Sequence, residues 1–236
     1  MKNKNIYFDA LILPKRIGFT LAEVLITLGI IGVLAAMTIP ALITAYEKHQ
    51  VVTKLQKAIS VMNQAYKQSF DDVGEPSDTE SAGMGSSAYF ETYWAPYVKT
   101  AVICNTYSDC GYSTNTPFYQ PGGKNDTIAV TNANARTAFY TMDGILYIAY
   151  TTSGSSQSDY TKYIIVDING GRNPNKFGRD VFVLVRLDDG EGVQPYGNNL
   201  DLTDSSIKSK CISSNGWTCA EHIRRKGWTI DKDYPW

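Results

Sequence analysis

The chain has 236 residues, of which 43% are apolar and 19% charged, so it can bury a core and is not disordered throughout. The formal net charge of −1 conceals an asymmetry. Residues 1–18 carry four basic side chains and one acidic one, whereas 18 basic and 22 acidic residues follow Gly18. A mildly acidic remainder argues against a nucleic-acid-binding surface, and we expect no nucleic acid among the partners.

A long apolar run follows the basic N-terminal segment. No charged side chain occurs from Val24 to Tyr46, which corresponds to about 35 Å of helix and is enough to cross a bilayer. A secretory signal peptide would have a shorter apolar core and a cleavage motif beyond it, whereas the only obvious cleavage signal here, Gly18, precedes the run. Lys15 and Arg16 should hold the N-terminus in the cytoplasm. The pattern predicts a single-pass membrane helix with the rest of the chain outside.

The helical pattern continues beyond the apolar run and becomes amphipathic after Pro40. Apolar side chains then recur at three- and four-residue steps, at Leu42, Tyr46, Val52, Leu55, Ile59, Met62 and Tyr66. This spacing predicts one helix from Thr20 to about Phe70, roughly 75 Å long, which ends in the Gly-, Ser-, Asp- and Pro-rich stretch 71–85. Lipid or neighbouring copies must cover its first half, and its second half can lie against a domain of its own chain.

Six β-favouring runs follow: AYFETYW, TIAVT, ARTAFYTM, ILYIAYTT, YTKYIIVDI and VFVLVRL. The last four fit strands of an antiparallel sheet. Asp143-Gly144 lies between two of them and predicts a two-residue hairpin turn with positive φ at both positions. The fold class is therefore α+β, with a long N-terminal helix packed on a C-terminal antiparallel sheet.

The segment KRIGFTLAEVLITLGIIGVLAAMTIPAL resembles the N-terminal segment of type IV pilins and type II secretion pseudopilins. In that family a basic leader ends in Gly, Phe follows, Glu comes four residues later and Pro interrupts the membrane helix. Here these residues are Gly18, Phe19, Glu23 and Pro40. The resemblance covers about the first 50 residues.

The resemblance implies four segments and a pilin-like fold. These are a prepilin leader (1–18), a transmembrane and assembly helix (19–45), an amphipathic helix continuing into the globular domain (46–70) and an extracytoplasmic β-rich domain (71–236). It implies that prepilin peptidase cuts after Gly18 and methylates the new amino terminus of Phe19. By itself, Gly18 could equally be a flexible joint.

The resemblance also implies partners and a location. The partners are the peptidase, other pilin or pseudopilin subunits, an inner-membrane assembly platform and the lipid bilayer. The chain would sit in the bacterial inner membrane before it enters a filament that serves secretion or adhesion.

Two residues of the apolar helix need an explanation. A carboxylate at Glu23, one turn inside the run, costs on the order of 3 kcal/mol in lipid. The resemblance supplies a partner, the amino terminus of Phe19 on a neighbouring subunit, and the alternative is snorkelling to nearby headgroups. Pro40 removes one helical hydrogen bond, so we expect a kink or a local melt, which the family uses as a stretchable segment. The alternative is a proline tolerated for close packing.

Four cysteines form two close pairs in sequence, at Cys104 and Cys110 and at Cys211 and Cys219. An even number in the polar, extracytoplasmic part predicts two local disulfides. The alternative is a four-thiolate zinc site, although zinc sites prefer shorter spacings between paired cysteines.

Oxygen-bearing side chains alternate with turn residues in the stretch DINGGRNPNKFGRD. Asp167, Asn169, Asn175 and Asp180 could therefore bind Ca²⁺, although the stretch does not match an EF-hand. Major pseudopilins resemble this arrangement in that a calcium ion steadies a loop of their C-terminal domain. Asx-turns that cap a hairpin explain the same residues.

Enzymatic motifs are missing from the sequence: it has no phosphate-binding loop, nucleophile elbow or dinucleotide fingerprint. His49 and His222 belong to no catalytic motif, and we expect both at the surface. Arg224, Arg225 and Lys226 could form a basic patch for DNA or a partner, or simply solvated charge. The sequence indicates a non-enzymatic filament subunit. The alternatives are a membrane-anchored extracytoplasmic binding protein and a DNA-uptake (competence) pseudopilin.

Overall fold

The computed structural model describes residues 18–75, 84–132, 135–150, 162–187 and 190–236. The predicted leader, except Gly18, lies outside the described residues, as do Lys15 and Arg16. The chain divides into two compact units, Met1–Ala45 and Tyr46–Trp236. Each unit is described by itself.

Helix α1 (Leu21–Val73) begins in the first unit and continues into the second. Its apolar N-terminal part is long and apolar enough to cross a membrane, and its most apolar stretch is entirely unburied within the chain. The helix is unbroken at Pro40, so the predicted local melt is absent from this state. A proline removes only one donor, and membrane helices tolerate that loss.

Within the described residues, the second unit combines the rest of α1 with a six-stranded sheet and three short helices. After α2 (Ser86–Tyr93), the strands are β1 (Thr100–Cys104), β2 (Arg136–Thr141), β3 (Leu146–Tyr150), β4 (Tyr163–Asp167), β5 (Val181–Leu187) and β6 (Gly192–Pro195). They lie in chain order, and every neighbouring pair is antiparallel. Helices α3 (Asp204–Ser213) and α4 (Cys219–Arg225) follow. The α+β fold class is confirmed.

Both faces of the sheet are buried. One face packs against α1 through the predicted apolar stripe, in which Leu55 and Met62 are fully buried, and also against α2 and α4. Side chains from the segment 105–132, such as Tyr112 and Phe118, belong to the core on the opposite face. Consequently every residue of β3 is buried, and the strand reads as a continuous apolar run rather than an alternation.

Two of the six β-favouring runs are not strands. AYFETYW forms α2 and the turn after it, because Tyr89, Phe90 and Tyr93 are buried together at helical spacing. TIAVT is irregular, and its buried Ile128 and Val130 belong to the core on the second face of the sheet. The four runs assigned to a sheet are β2 to β5, whereas β1, β6, α3 and α4 were not predicted from the sequence.

The turn between β2 and β3 differs from the predicted two-residue hairpin. The Thr141 N–H donates to the carbonyl of Ile145 (3.0 Å), which leaves three residues in the loop, and of these Gly144 alone has positive φ. The Asp143 carboxylate accepts from the Thr141 hydroxyl and pairs with Lys57 of α1 at 2.8 Å. A three-residue loop with Gly in the left-handed region is a common connection between two hairpin strands.

Candidate functional site

Gly18 and Phe19 are the first described residues, and both are exposed. Phe19 is 87% exposed. A side chain added at Gly18 would meet no atom within 4 Å, so packing within the described part of the chain does not require glycine there. Both residues are therefore accessible to an enzyme that must approach the backbone between them.

Thr20 and Glu23 cap the first turn of α1. The Glu23 N–H donates to Thr20 Oγ1 (3.2 Å), while Glu23 Oε2 accepts from the Thr20 N–H and from its hydroxyl, each at 2.8 Å. This reciprocal pair is a capping box, which satisfies backbone donors that the helix cannot. Glu23 thus has a partner in its own chain. Pairing with a neighbouring subunit stays a prediction.

Two buried carboxylates lie at the end of β4 and just before β5. Asp167 is 0% exposed and Asp180 is 3% exposed, and the Ile168 N–H donates to the carbonyl of Asp180. Burial raises the pKa of both carboxyls, and the negative charge of Asp180 raises that of Asp167 further. Neither has a Lys or Arg partner within the described ranges, so their charge is not compensated there by a basic side chain.

Neutral groups surround these carboxylates. Asp180 accepts from the backbone N–H groups of Asn175 (2.8 Å) and Lys176 (2.7 Å) and from Asn169 Nδ2 (3.1 Å). Asp167 accepts from the Tyr112 hydroxyl (2.6 Å) and from the Asn169 N–H (3.1 Å). The predicted set is therefore brought together around the turn between β4 and β5. The bond from the Asn169 N–H to Asp167 forms an Asx-turn, the alternative to a calcium site that the sequence also allowed.

Two amide oxygens of the same set have no hydrogen-bond partner. Asn169 Oδ1 and Asn175 Oδ1 are both buried and unpaired, and Asn175 as a whole is only 5% exposed. Unpaired buried oxygens beside two uncompensated carboxylates form a donor set that suits a hard cation such as Ca²⁺. In the described part of the chain, no group of three His, Cys, Asp or Glu side chains could hold a metal, so the amide oxygens would have to contribute.

The four cysteines form two disulfides, Cys104–Cys110 and Cys211–Cys219. The zinc alternative is therefore wrong for this structure. The first bridge joins the end of β1 to a loop whose Cys110 carbonyl accepts from the Tyr140 hydroxyl (2.5 Å). That hydroxyl also accepts from the Gly171 N–H (3.2 Å), so the bridged loop is attached to the loop that carries the carboxylates.

The histidines and the basic tail have structural surroundings. His49 is exposed as predicted, but His222 is 3% exposed and stacks on Tyr234, so its predicted surface position is wrong. The burial follows from its place on α4, which packs against the sheet. Arg224 and Arg225 both pair with the fully buried Glu221, at 2.7 Å, so neither is free to form a basic patch.

Two residues of these sites were missed at the level of sequence. Thr20 was detectable, because Thr-Leu-Ala-Glu is the capping-box pattern directly before an apolar run. Tyr112 was not, because it lies 55 residues before the carboxylate that it contacts, and no local pattern indicates the contact.

Comparison with known proteins gives two family matches. Residues 41–236 match a family described as "Family of unknown function (DUF6613)", and residues 13–39 match the "Prokaryotic N-terminal methylation motif". The second motif is characteristic of type IV pilins and pseudopilins, so the resemblance noted in the sequence is confirmed over those residues. Searches of curated proteins and of solved structures return no match.

Proposed function

Because the chain belongs to the DUF6613 family of unknown function and carries a prokaryotic N-terminal methylation motif, we propose that it is a structural subunit of a type IV pilus or type II secretion pseudopilus. Prepilin peptidase would cut after Gly18 and methylate Phe19. The processed subunit would wait in the inner membrane with its second unit in the periplasm or outside the cell. An assembly platform would then add it to a filament that serves protein secretion or adhesion.

The observation that carries this proposal is the exposed apolar half of α1, which directly follows an accessible Gly18–Phe19 bond. Large apolar side chains are exposed almost continuously from Phe19 to Tyr46, for example Leu25 at 62% and Met37 at 74%. A surface of this kind needs lipid or other helices to cover it. The methylation motif favours a helix that is covered by lipid before assembly and by neighbouring helices after it.

Mass spectrometry of the protein from its native membrane tests the proposal. We expect a chain that starts at Phe19 and carries one methyl group on its amino terminus. Gly18→Ala should leave the leader attached, whereas Gly29→Ala, a glycine with equally open surroundings, should be processed normally. A native chain that retains Met1 would contradict the proposal and favour the membrane-anchored binding protein. A mature subunit that assembles only in DNA-uptake machinery would favour the competence pseudopilin.

A second candidate function is Ca²⁺ binding by Asp167, Asn169, Asn175 and Asp180. The unpaired oxygens of the two asparagines support it. A bound Ca²⁺ would compensate the negative charge of these carboxylates and would fix the loop between β4 and β5. In this structure Asn169 Nδ2 donates a hydrogen bond to Asp180. Rotation of the amide would turn Oδ1 towards a cation bound beside Asp180.

Calorimetric titration with CaCl₂ tests this second function. We expect a dissociation constant on the order of 10⁻⁴–10⁻³ M, as in other extracytoplasmic modules. Asp180→Asn should abolish the heat of binding, while Asp201→Asn, at an exposed aspartate, should not change it. Identical titrations for the two variants would contradict a calcium site here.

A further inference from the structure

A cationic and aromatic surface lies directly after the membrane-spanning run. Trp236 is half-buried, and two cations lie near its ring, with Lys48 Nζ 5.6 Å and the Arg179 guanidinium 5.4 Å from the ring centre. Beside it is a cavity of about 250 Å³ whose lining includes Val51, Lys54 and Arg179. We call Lys48, Lys54, Arg179 and Trp236 the headgroup patch.

Lys48 lies only a few residues after the run that is long enough to cross a bilayer. If Glu23 marks the cytoplasmic edge of the bilayer, about 20 helical residues cross the hydrocarbon and bring the chain to roughly residue 43. The polar headgroup layer on the far side then takes in the next few residues, including Tyr46 and Lys48. Trp and Tyr are enriched at this level, and basic side chains there interact with anionic headgroups.

The charges of the patch suit a phosphate. Lys54 Nζ makes one hydrogen bond, to the carbonyl of Ile168 (3.3 Å), and Lys48 Nζ one to the carbonyl of Asp231 (3.3 Å). Among the residues that the structure describes, neither ammonium group forms an ion pair with an acid. Glu47 and the almost fully buried Asp180 also line the cavity and oppose anion binding. Lys54 and Arg179 balance these two acids, and Lys48, beside Trp236, adds a third cation to the patch.

We propose that the headgroup patch binds the phosphate of an anionic phospholipid and so docks the second unit on the outer surface of the inner membrane before assembly. This inference rests on the proposed function, which places the subunit in that membrane. Trp236 would lie among the headgroups, with Lys48 and Arg179 beside the phosphate. Each cation lost should lower the docked fraction relative to the undocked one by roughly fivefold.

Fluorescence quenching in vesicles tests the proposal with the full processed chain. The vesicles contain phosphatidylcholine brominated near the top of its acyl chains, with or without phosphatidylglycerol, in chelator so that Ca²⁺ cannot bridge lipid and protein. The signal of Trp236 is the difference between the native chain and Trp236→Phe. We expect it to be quenched strongly when phosphatidylglycerol is present and weakly when it is absent.

Charge variants complete the test. Lys48→Gln with Arg179→Gln should abolish most of the quenching, whereas Lys67→Gln with Lys124→Gln, two exposed lysines elsewhere, should keep it. Thermal melting checks that both double variants are folded. Quenching that is independent of phosphatidylglycerol, or equal in the two double variants, would overturn the proposal. Reversal by inorganic phosphate at matched ionic strength would overturn it too, because the patch would then bind soluble phosphate. Cleavage and methylation are measured separately, so a failure of the proposed function can be distinguished from a failure of lipid binding.

Discussion

At the scale of single residues, Glu23 has two possible roles that substitutions can separate. Within its own chain it caps α1 through Thr20, and in a filament its charge would pair with the amino terminus of a neighbouring Phe19. Glutamine retains the capping box without the charge, because an amide oxygen accepts the same hydrogen bonds. Thr20→Ala removes the hydroxyl that takes part in the box and retains the charge.

We therefore predict that Glu23→Gln and Glu23→Val are both processed normally and both fail to assemble, while Thr20→Ala assembles with a first turn weakened by about 1 kcal/mol. Filament yield by electron microscopy and leader cleavage by gel mobility measure the two steps. Normal filaments from Glu23→Gln would show that the cap, and not the charge, is what assembly needs.

The buried carboxylates predict a pH dependence with a definite sign. Burial raises the pKa of Asp167 and Asp180 in the folded state, so folding takes up protons between the ordinary aspartate pKa, about 4, and the raised values. In chelator their contribution to stability therefore falls as the pH rises through that window. A bound cation replaces those protons.

We expect the melting temperature in CaCl₂ to exceed that in EDTA by a margin that grows as the pH rises through this window. Comparing the two buffers at each pH cancels the contribution of His222, whose pKa burial lowers and whose protonation below about 6.5 opposes folding in both. A margin that is constant with pH, or zero, would contradict the predicted site.

At the scale of elements, α1 protects one edge of the sheet. Asn63 donates through Nδ2 to the Val193 carbonyl (2.6 Å) and accepts through Oδ1 from the Val193 N–H (2.7 Å), as a neighbouring strand would. Gly192 has a φ of +102°, and a Cβ there would collide with Asn63 Oδ1. The edge strand β6 is thus covered by a side chain instead of left open.

Replacing Asn63 by Ala should lower the free energy of unfolding by about 1–3 kcal/mol, because two backbone groups lose their partner. Denaturant titration of the chain in detergent measures the change. Gln64→Ala, which removes the neighbouring exposed amide, should cost far less. Equal losses for the two variants would show that the edge contact is not stabilising.

The sequence predicted elements well where burial follows a local period, and poorly elsewhere. The stripe of α1 and the four central strands were readable because their apolar residues repeat at 3.6 residues or form continuous runs. Helix α2 was not readable, because a short segment with three aromatic residues is compatible with either a strand or a helix. The packing of Tyr89 and Phe90 in the core decides for the helix. Among the site residues, the Asp167–Asp180 set was identifiable by its oxygen-rich composition, but its uncompensated charge depends on tertiary contacts.

At the scale of the whole molecule, exposed apolar surface is concentrated in the first unit. Beyond Tyr46, the large apolar side chains exposed within the described ranges are scattered along the chain: Val73, Met84, Val102, Ile103, Tyr119 and Met142. The second unit also contains both disulfides and both core clusters. It therefore has what an independent domain needs.

We predict that residues 46–236, produced in an oxidising compartment, fold without detergent and remain monomeric. Light scattering during gel filtration measures the mass, and circular dichroism should show mixed helix and sheet. The full chain under the same conditions should aggregate. Aggregation of residues 46–236 would contradict the prediction that the second unit is an independent domain.

The cap at Thr20 and Glu23 has a consequence for how subunits are stored. In the proposed function, a subunit in the bilayer would satisfy the one acid of its apolar run within its own chain and could diffuse there without being forced to polymerise. Entry into a filament would exchange one partner of the carboxylate for another, and departure would exchange it back. We therefore expect this pair to fix register while leaving subunits recyclable, with the net gain of assembly supplied by helix packing.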